Sequence, residues 1–246
     1  MSFARDNIAR RFDRAADGYD QAASVQAQIA AQLVQKAIQS FSNPPRAILD
    51  IGSGTGFVAE AAAAHWPQAQ ITAIDGAPSM LKQAQQKVPH LQVIEGDVAQ
   101  REFDPVFDLV LSSMVLHWLP KPREALDHWR GWLKPKGKLF TALLIEGSFQ
   151  EWRDLCAADE LDDGVWPFPS AEIYDGFATE QQMLRIEYPT VRDFLKRLKT
   201  TGASMPRRDH KPFSVARMRR LLKRAPKPFP VSYNVLYIEA PKSTSI

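Results

Sequence analysis

In a chain of 246 residues, 45% of them apolar, the single thiol Cys156 excludes an internal disulfide framework and a multi-thiolate metal site. No run reaches the roughly 18 apolar residues of a membrane span, and Arg5, Asp6, Arg10 and Arg11 stand where a signal peptide needs an apolar stretch; one cytoplasmic domain spanning 1–246, with no metal and no membrane, is expected. The net charge of +3 hides a segregation: from Arg185 to Ile246 there are 15 Lys+Arg against 4 Asp+Glu, net +11, whereas the preceding residues carry 16 against 24, net −8.

Two helical stretches come first, with Ile8, Phe12, Ala15, Ala16 and Tyr19 on one face and Val25, Ile29, Leu33, Ala37 and Ile38 repeating the same period. Asn43-Pro44-Pro45 ends them. A core region, 46–145, then alternates short apolar runs with helical ones: strand 47–51, helix 56–65, strand 70–75, helix 78–87, strand 91–95, strand 107–111, helix 123–133 and strand 138–144. That alternation predicts an α/β fold with a doubly wound, mostly parallel sheet. From 146 to 182 the rhythm breaks, with aromatics and prolines around Gly164 to Pro169 and short helices expected at 149–158 and 171–177. This segment is expected to cap the sheet. A strand at 183–188, helices at 191–201 and 215–224 and a last strand at 231–240 bring the sheet to seven strands.

Gly52, Gly54 and Gly56 follow the first strand directly and open the next helix, so backbone can approach a ligand closely and helix N–H groups face the site. The spacing is G-x-G-x-G, with Phe57 where a dinucleotide fingerprint requires its third small residue, and Asp50 precedes the turn. An acid at that mouth repels a pyrophosphate but attracts the ammonium of a methionine moiety, which favours S-adenosylmethionine over NAD. Asp75 ends the second strand, where its carboxylate can accept both ribose hydroxyls of an adenosine; Asp97, after the third, is placed to accept from the adenine amino group, with Val98 offering backbone. Met80 and Ser112 complete the expected cofactor set.

Leu49 to Gly56, Asp75, Gly96-Asp97, Phe107 to Val110 and Leu133 to Gly137 resemble, in order, the motifs of class I S-adenosylmethionine-dependent methyltransferases, a Rossmann-like fold. The flanks Phe12-Asp13-Arg14-Ala15-Ala16 with Tyr19, Gly147-Ser148-Phe149, Leu198 to Ala203 and Phe229 to Tyr233 are similar to the malonyl-acyl-carrier-protein O-methyltransferases of biotin synthesis. The same frame is similar to complex I assembly-factor methyltransferase-like proteins and, more distantly, to trans-aconitate methyltransferase.

The acceptor is read separately. Ser112-Ser113-Met114 stands where enzymes acting on base amino groups carry an Asn/Asp-Pro-Pro-aromatic tetrapeptide, and Cys156 lacks the adjacent proline of a cytosine-carbon enzyme. An alcohol, phenol or amine acceptor needs a base, for which His117 is the histidine near a strand end; the other reading is that His117 and Trp118 line the pocket. A malonyl carboxylate is already ionised and needs alignment and dehydration instead. That predicts an apolar pocket holding one cation from Arg14, Arg207 or Arg208, with Tyr19 as hydroxyl donor or lid. The basic flank would then meet an acidic acyl-carrier protein through Lys196, Arg197, Lys199, Arg219, Arg220, Lys223 and Arg224, whereas sparse aromatics among those charges disfavour RNA.

Overall fold

A computed structural model describes residues 2–204 and 210–242, with side chains from residue 7 onward. Helices α1 (Ser2–Ala22) and α2 (Ser24–Gln39) precede β1 (Ala47–Ile51), α3 (Phe57–His65), β2 (Gln70–Asp75), α4 (Pro78–Lys87), β3 (Gln92–Glu95) and β4 (Phe107–Ser113). Then come α5 (Pro122–Arg130), β5 (Leu133–Leu144), α6 (Gln150–Ala157), β6 (Ala178–Tyr188), α7 (Val191–Thr200), α8 (Val215–Arg224) and β7 (Phe229–Pro241). The strands form one seven-stranded sheet in the order β3-β2-β1-β4-β5-β7-β6. All pairings from β3 to β5 are parallel, and β7 runs antiparallel between β5 and β6. This is the doubly wound, mostly parallel sheet expected from the alternating pattern.

Strand order reverses between β1 and its two neighbours, β2 and β4, so the crevice at the carboxyl end of β1 is the topological switch point where such sheets bind ligands. The start of β1 is pinned by Asp108, whose Oδ2 accepts the N–H groups of Arg46 at 2.9 Å and Ala47 at 2.8 Å, while Lys134 bonds Oδ1 at 3.0 Å. One sheet face packs on α2 and α3 through Ile29, Leu33, Val58 and Ala62; the other covers Leu49, Val110 and Leu139 with Leu126 and Trp129 of α5. Each fully buried Ile or Leu among these contributes about 1.5–3 kcal/mol. Among the described residues no helix is long and apolar enough to cross a membrane.

The segment after β5 differs from expectation. The helix expected at 171–177 is a single 3-10 turn, Ala171–Tyr174, and β6 begins at Ala178, so the last residues of the expected cap belong to the sheet edge. The cap helix α6 is fixed to β7 by Glu151, which accepts from the Ser232 N–H at 2.8 Å and its hydroxyl at 2.5 Å. Ser148 and Asn234 are reciprocally bonded, the Ser148 hydroxyl donating to the Asn234 carbonyl at 3.2 Å and accepting the Asn234 N–H at 3.0 Å. These bonds hold Phe149 at a left-handed φ of 59°, a conformation that β-carbon sterics disfavour and the surrounding contacts must impose.

Candidate active site

A cavity of about 710 Å³ opens at the switch point and runs under the cap. Its two ends differ in chemistry. At the sheet end stand Gly52, Gly54, Asp75, Gly76, Met80, Asp97, Val98 and Ser113; at the other, His117, Trp118, Phe149, Trp152, Phe168, Phe213 and Tyr233 make an aromatic chamber.

Gly52 has φ 65°, and a Cβ there would lie 2.3 Å from Val115 Cγ2; Gly54 has φ 54° and open space where its Cβ would be. Both therefore serve the turn, in different ways. Gly56 does not line the cavity: its φ is 88°, and a Cβ would meet Ala84 Cβ at 2.9 Å, so it permits α3 and α4 to approach. Asp75 organises the turn, its Oδ2 accepting the Gly54 N–H and its Oδ1 the Ala77 N–H, each at 2.8 Å. Each oxygen keeps a lone pair for a further donor. Asp97 lines the same end and accepts the Ala99 N–H at 2.9 Å. Val98 is held by its carbonyl, which accepts from Trp129 Nε1 at 3.2 Å.

Two expected residues sit elsewhere. Ser112 is fully buried, donates to the Ile51 carbonyl at 3.0 Å and faces away from the cavity. The strand's alternation turns the next residue, Ser113, inward instead, where its hydroxyl is buried with no hydrogen-bond partner in the described structure. Asp50 is 1% exposed, lies behind the turn rather than on the cavity wall, and neither of its oxygens is hydrogen-bonded within 3.5 Å. Burial and the nearby charge of Asp75 push its carboxyl up to about 8, and the Ala59 amide offsets only part of this. A buried carboxyl with so little compensation costs stability unless something neutralises it. Asp75 and the orphaned Ser113 hydroxyl on the wall, with the Asp50 carboxyl buried behind the turn, thus suit a ligand that brings hydrogen-bonding ends and a positive charge felt through the turn.

Helix α1 closes the site from outside. Its apolar face places Phe12 and Tyr19 against the opening: Phe12 meets Tyr19 at 6.3 Å and Trp118 at 6.0 Å, both edge-on, and Met80 packs beneath them. Asp13 ties α1 down by accepting the Ser79 N–H of α4 at 2.7 Å. The Tyr19 phenol is held protonated by burial and by Asp75 and Asp20, so it is a hydrogen-bond donor and not a base. Arg14 is exposed on the other side of α1 and does not reach the cavity, because it lies about 200° around the helix from Phe12. Arg207 and Arg208 lie outside the described residues.

His117 is buried beside Phe168, with ring centroids 5.7 Å apart. Its Nδ1 accepts the Leu144 N–H at 3.4 Å, which leaves the proton on Nε2. Burial lowers its pKa to about 3, so the imidazole is neutral and a weak base. Of the two roles open to it, the arrangement favours a pocket wall that donates a hydrogen bond.

The aromatic chamber has no contiguous signature in the sequence. Phe149, Trp152, Phe168 and Tyr233 come from α6, the cap loop and β7, and no local spacing joins them. The basic surface also divides. Lys196, Lys199, Arg219, Arg220 and Lys223 are exposed, with Arg217 beside them. Arg197 is half-buried and tied to the carbonyls of Gln21 at 3.2 Å and Ala22 at 2.7 Å, and Arg224 pairs with Asp159. Those two are structural contacts rather than a free docking face.

A methyltransferase domain family model matches residues 49–141, the span that carries the glycine turn, Asp75 and Asp97. The plantazolicin methyltransferase BpumL, solved in complex with S-adenosylhomocysteine, shares the fold at a TM-score of 0.53 and 14% identity, covering 96% of each chain. The biotin biosynthesis bifunctional protein BioCD of Bordetella avium is 32% identical over 88% of this chain, which spans 48% of that protein. The malonyl-[acyl-carrier protein] O-methyltransferase of Magnetococcus marinus is 31% identical over 94% of this chain and 90% of its own length. The methyltransferase turn, the acidic strand ends and this near full-length relationship together place the chain in the malonyl-[acyl-carrier protein] O-methyltransferase family.

Proposed function

We propose that the enzyme transfers the methyl group of S-adenosylmethionine to the free carboxyl of a malonyl thioester on an acyl-carrier protein, an early step of biotin synthesis. The observation that carries this reading is the acceptor chamber's chemistry: its walls are largely aromatic, and of the two histidines on them His117 is neutral and too weak a base for an alcohol or amine, while the Nδ1 of His210 is engaged with Asp162 at 3.2 Å. A carboxylate acceptor, ionised above about pH 4.3, needs no base.

The residues divide the work. Asp75 suits the ribose hydroxyls, Asp97 and the Val98 backbone the adenine, and Ser113 with Gln26 the amino-acid end, since both line the cavity beside the glycine turn. Met80 packs the cofactor end. When bound, S-adenosylmethionine supplies a methyl group on a cationic sulfur. Phe12, Tyr19 and Trp118 then exclude water, which strengthens attraction between the carboxylate and that positive charge and keeps the two aligned. His117 Nε2–H and Tyr19 are donors, with nothing to abstract.

Purified enzyme with methyl-labelled cofactor is expected to label malonyl-carrier protein in preference to trans-aconitate or bulk RNA. Absence of label on the carrier substrate overturns the reading. At saturating cofactor and substrate, turnover should change by less than about twofold from pH 6 to pH 8, because His117 stays neutral throughout, the acceptor stays ionised, and the reaction asks no proton transfer of His210, the other histidine on the wall. A tenfold fall per unit below pH 7 would reveal a base and favour a different acceptor.

The exposed charges of α8 would receive an acidic carrier; Met218 on the same helix, which lines the cavity, supports this. Changing Arg219, Arg220 and Lys223 together to Glu is expected to lower kcat/KM for malonyl-carrier protein by about tenfold or more at low salt. The malonyl thioester of a small thiol should be spared; equal losses on both substrates would remove the docking role.

A further inference from the structure

Among the described residues lining the cavity there is no lysine or arginine, yet a dehydrated carboxylate needs a donor and a favourable field. One arrangement at the chamber's floor offers both. Tyr233 of β7 lines the cavity, 3% exposed, with its ring 5.0 Å from Phe149 and nearly perpendicular to it. Its hydroxyl lies 2.7 Å from the hydroxyl of Tyr188 at the end of β6. Two hydroxyls own two protons, and the bond between them uses one. Neither hydroxyl has another hydrogen-bond partner among the described residues, so one buried O–H proton is left over, on a pair of which only Tyr233 reaches the cavity.

Arg197 stands behind this pair. Two backbone carbonyls hold its guanidinium, and its charge acts on both phenols against the burial that raises them. The phenols stay neutral, which makes them donors, and the positive field reaches the chamber without placing an ion in its wall. Resting on the reading that the acceptor is a carboxylate, we propose that Tyr233 donates its remaining proton to the free carboxylate of the substrate. Tyr188 is then a positioning residue that holds the Tyr233 hydroxyl, and Arg197 supplies the field.

The test compares an anion with its neutral ester. With the enzyme saturated by S-adenosylhomocysteine, malonyl-carrier protein and its methyl ester are titrated into wild type, Tyr233→Phe and Tyr188→Phe. A hydrogen bond to a charged group corresponds to roughly a tenfold to hundredfold change in affinity. Tyr233→Phe should therefore weaken malonyl-carrier binding at least about tenfold, move the methyl ester less than about threefold and leave S-adenosylhomocysteine binding unchanged. Tyr188→Phe should weaken the anion about threefold to tenfold with the same selectivity, and it carries the comparison alone if Tyr233→Phe does not fold. Equal weakening of acid and ester, or no change in either, overturns the role of Tyr233. Failure of wild type to methylate malonyl-carrier protein would instead overturn the acceptor assignment beneath it.

Discussion

Asp75→Asn is expected to weaken S-adenosylhomocysteine binding about a hundredfold while leaving the fold intact. The carboxylate accepts the Gly54 and Ala77 N–H groups on separate oxygens, each at 2.8 Å. An amide of the same shape must turn its NH₂ toward one of those donors, and two N–H groups then face each other. Bonds to a charged acceptor contribute roughly 1.5–3 kcal/mol each. Losing one such bond, and one of the two acceptors offered to a ribose, loosens the turn and the ligand together, which yields about two orders of magnitude. Burial raises the Asp75 pKa and the amides of Gly54, Ala77 and Gly76 oppose that rise, so replacing the acid removes part of a desolvation cost as well. Thermal stability should therefore fall little while calorimetric affinity collapses. Binding within threefold of wild type would show that Asp75 does not face the ligand.

What the sequence disclosed follows from how local each feature is. A parallel sheet puts strand ends on one line, so Asp75 and Asp97 were recognisable as neighbours from their positions after successive apolar runs, and the structure sets both on one cavity wall. Face assignment at a strand end is less secure, because both faces of a central strand are buried and alternation leaves no polar signature. Hence Ser112 and Ser113 exchanged places. Arg14 lies off the cavity for a different reason. Arg14 shares a helix with Tyr19 but not its face, and periodicity alone already separates it from Phe12. Arg197 reads as one more charge in a basic run, and only the carbonyls at the end of α1 disclose its anchoring. The Tyr188–Tyr233 pair needs the antiparallel return of β7, a contact 45 residues apart in sequence.

The glycine turn can be divided by experiment because its first two glycines serve different ends. Gly52→Ala places a methyl group 2.3 Å from Val115 Cγ2, with Cγ1 and Cβ of the same side chain at 3.2 and 3.3 Å. Valine is stiff at χ1 and has no far end to swing away, and Val115 itself lines the cavity. Added to a left-handed φ that costs about 1–2 kcal/mol for a residue with a β-carbon, the displacement should lower stability by roughly 2–4 kcal/mol and abolish detectable transfer. Gly54→Ala meets nothing within 4 Å and pays only for its φ of 54°. Its methyl group enters the space at the carboxyl end of β1, so stability should fall by no more than about 2 kcal/mol while cofactor affinity falls tenfold or more. Chemical denaturation and S-adenosylhomocysteine titration, read together, separate the two substitutions. If Gly54→Ala binds normally, the open side of that glycine does not face the cofactor, and the ligand must enter the turn from Gly52 alone.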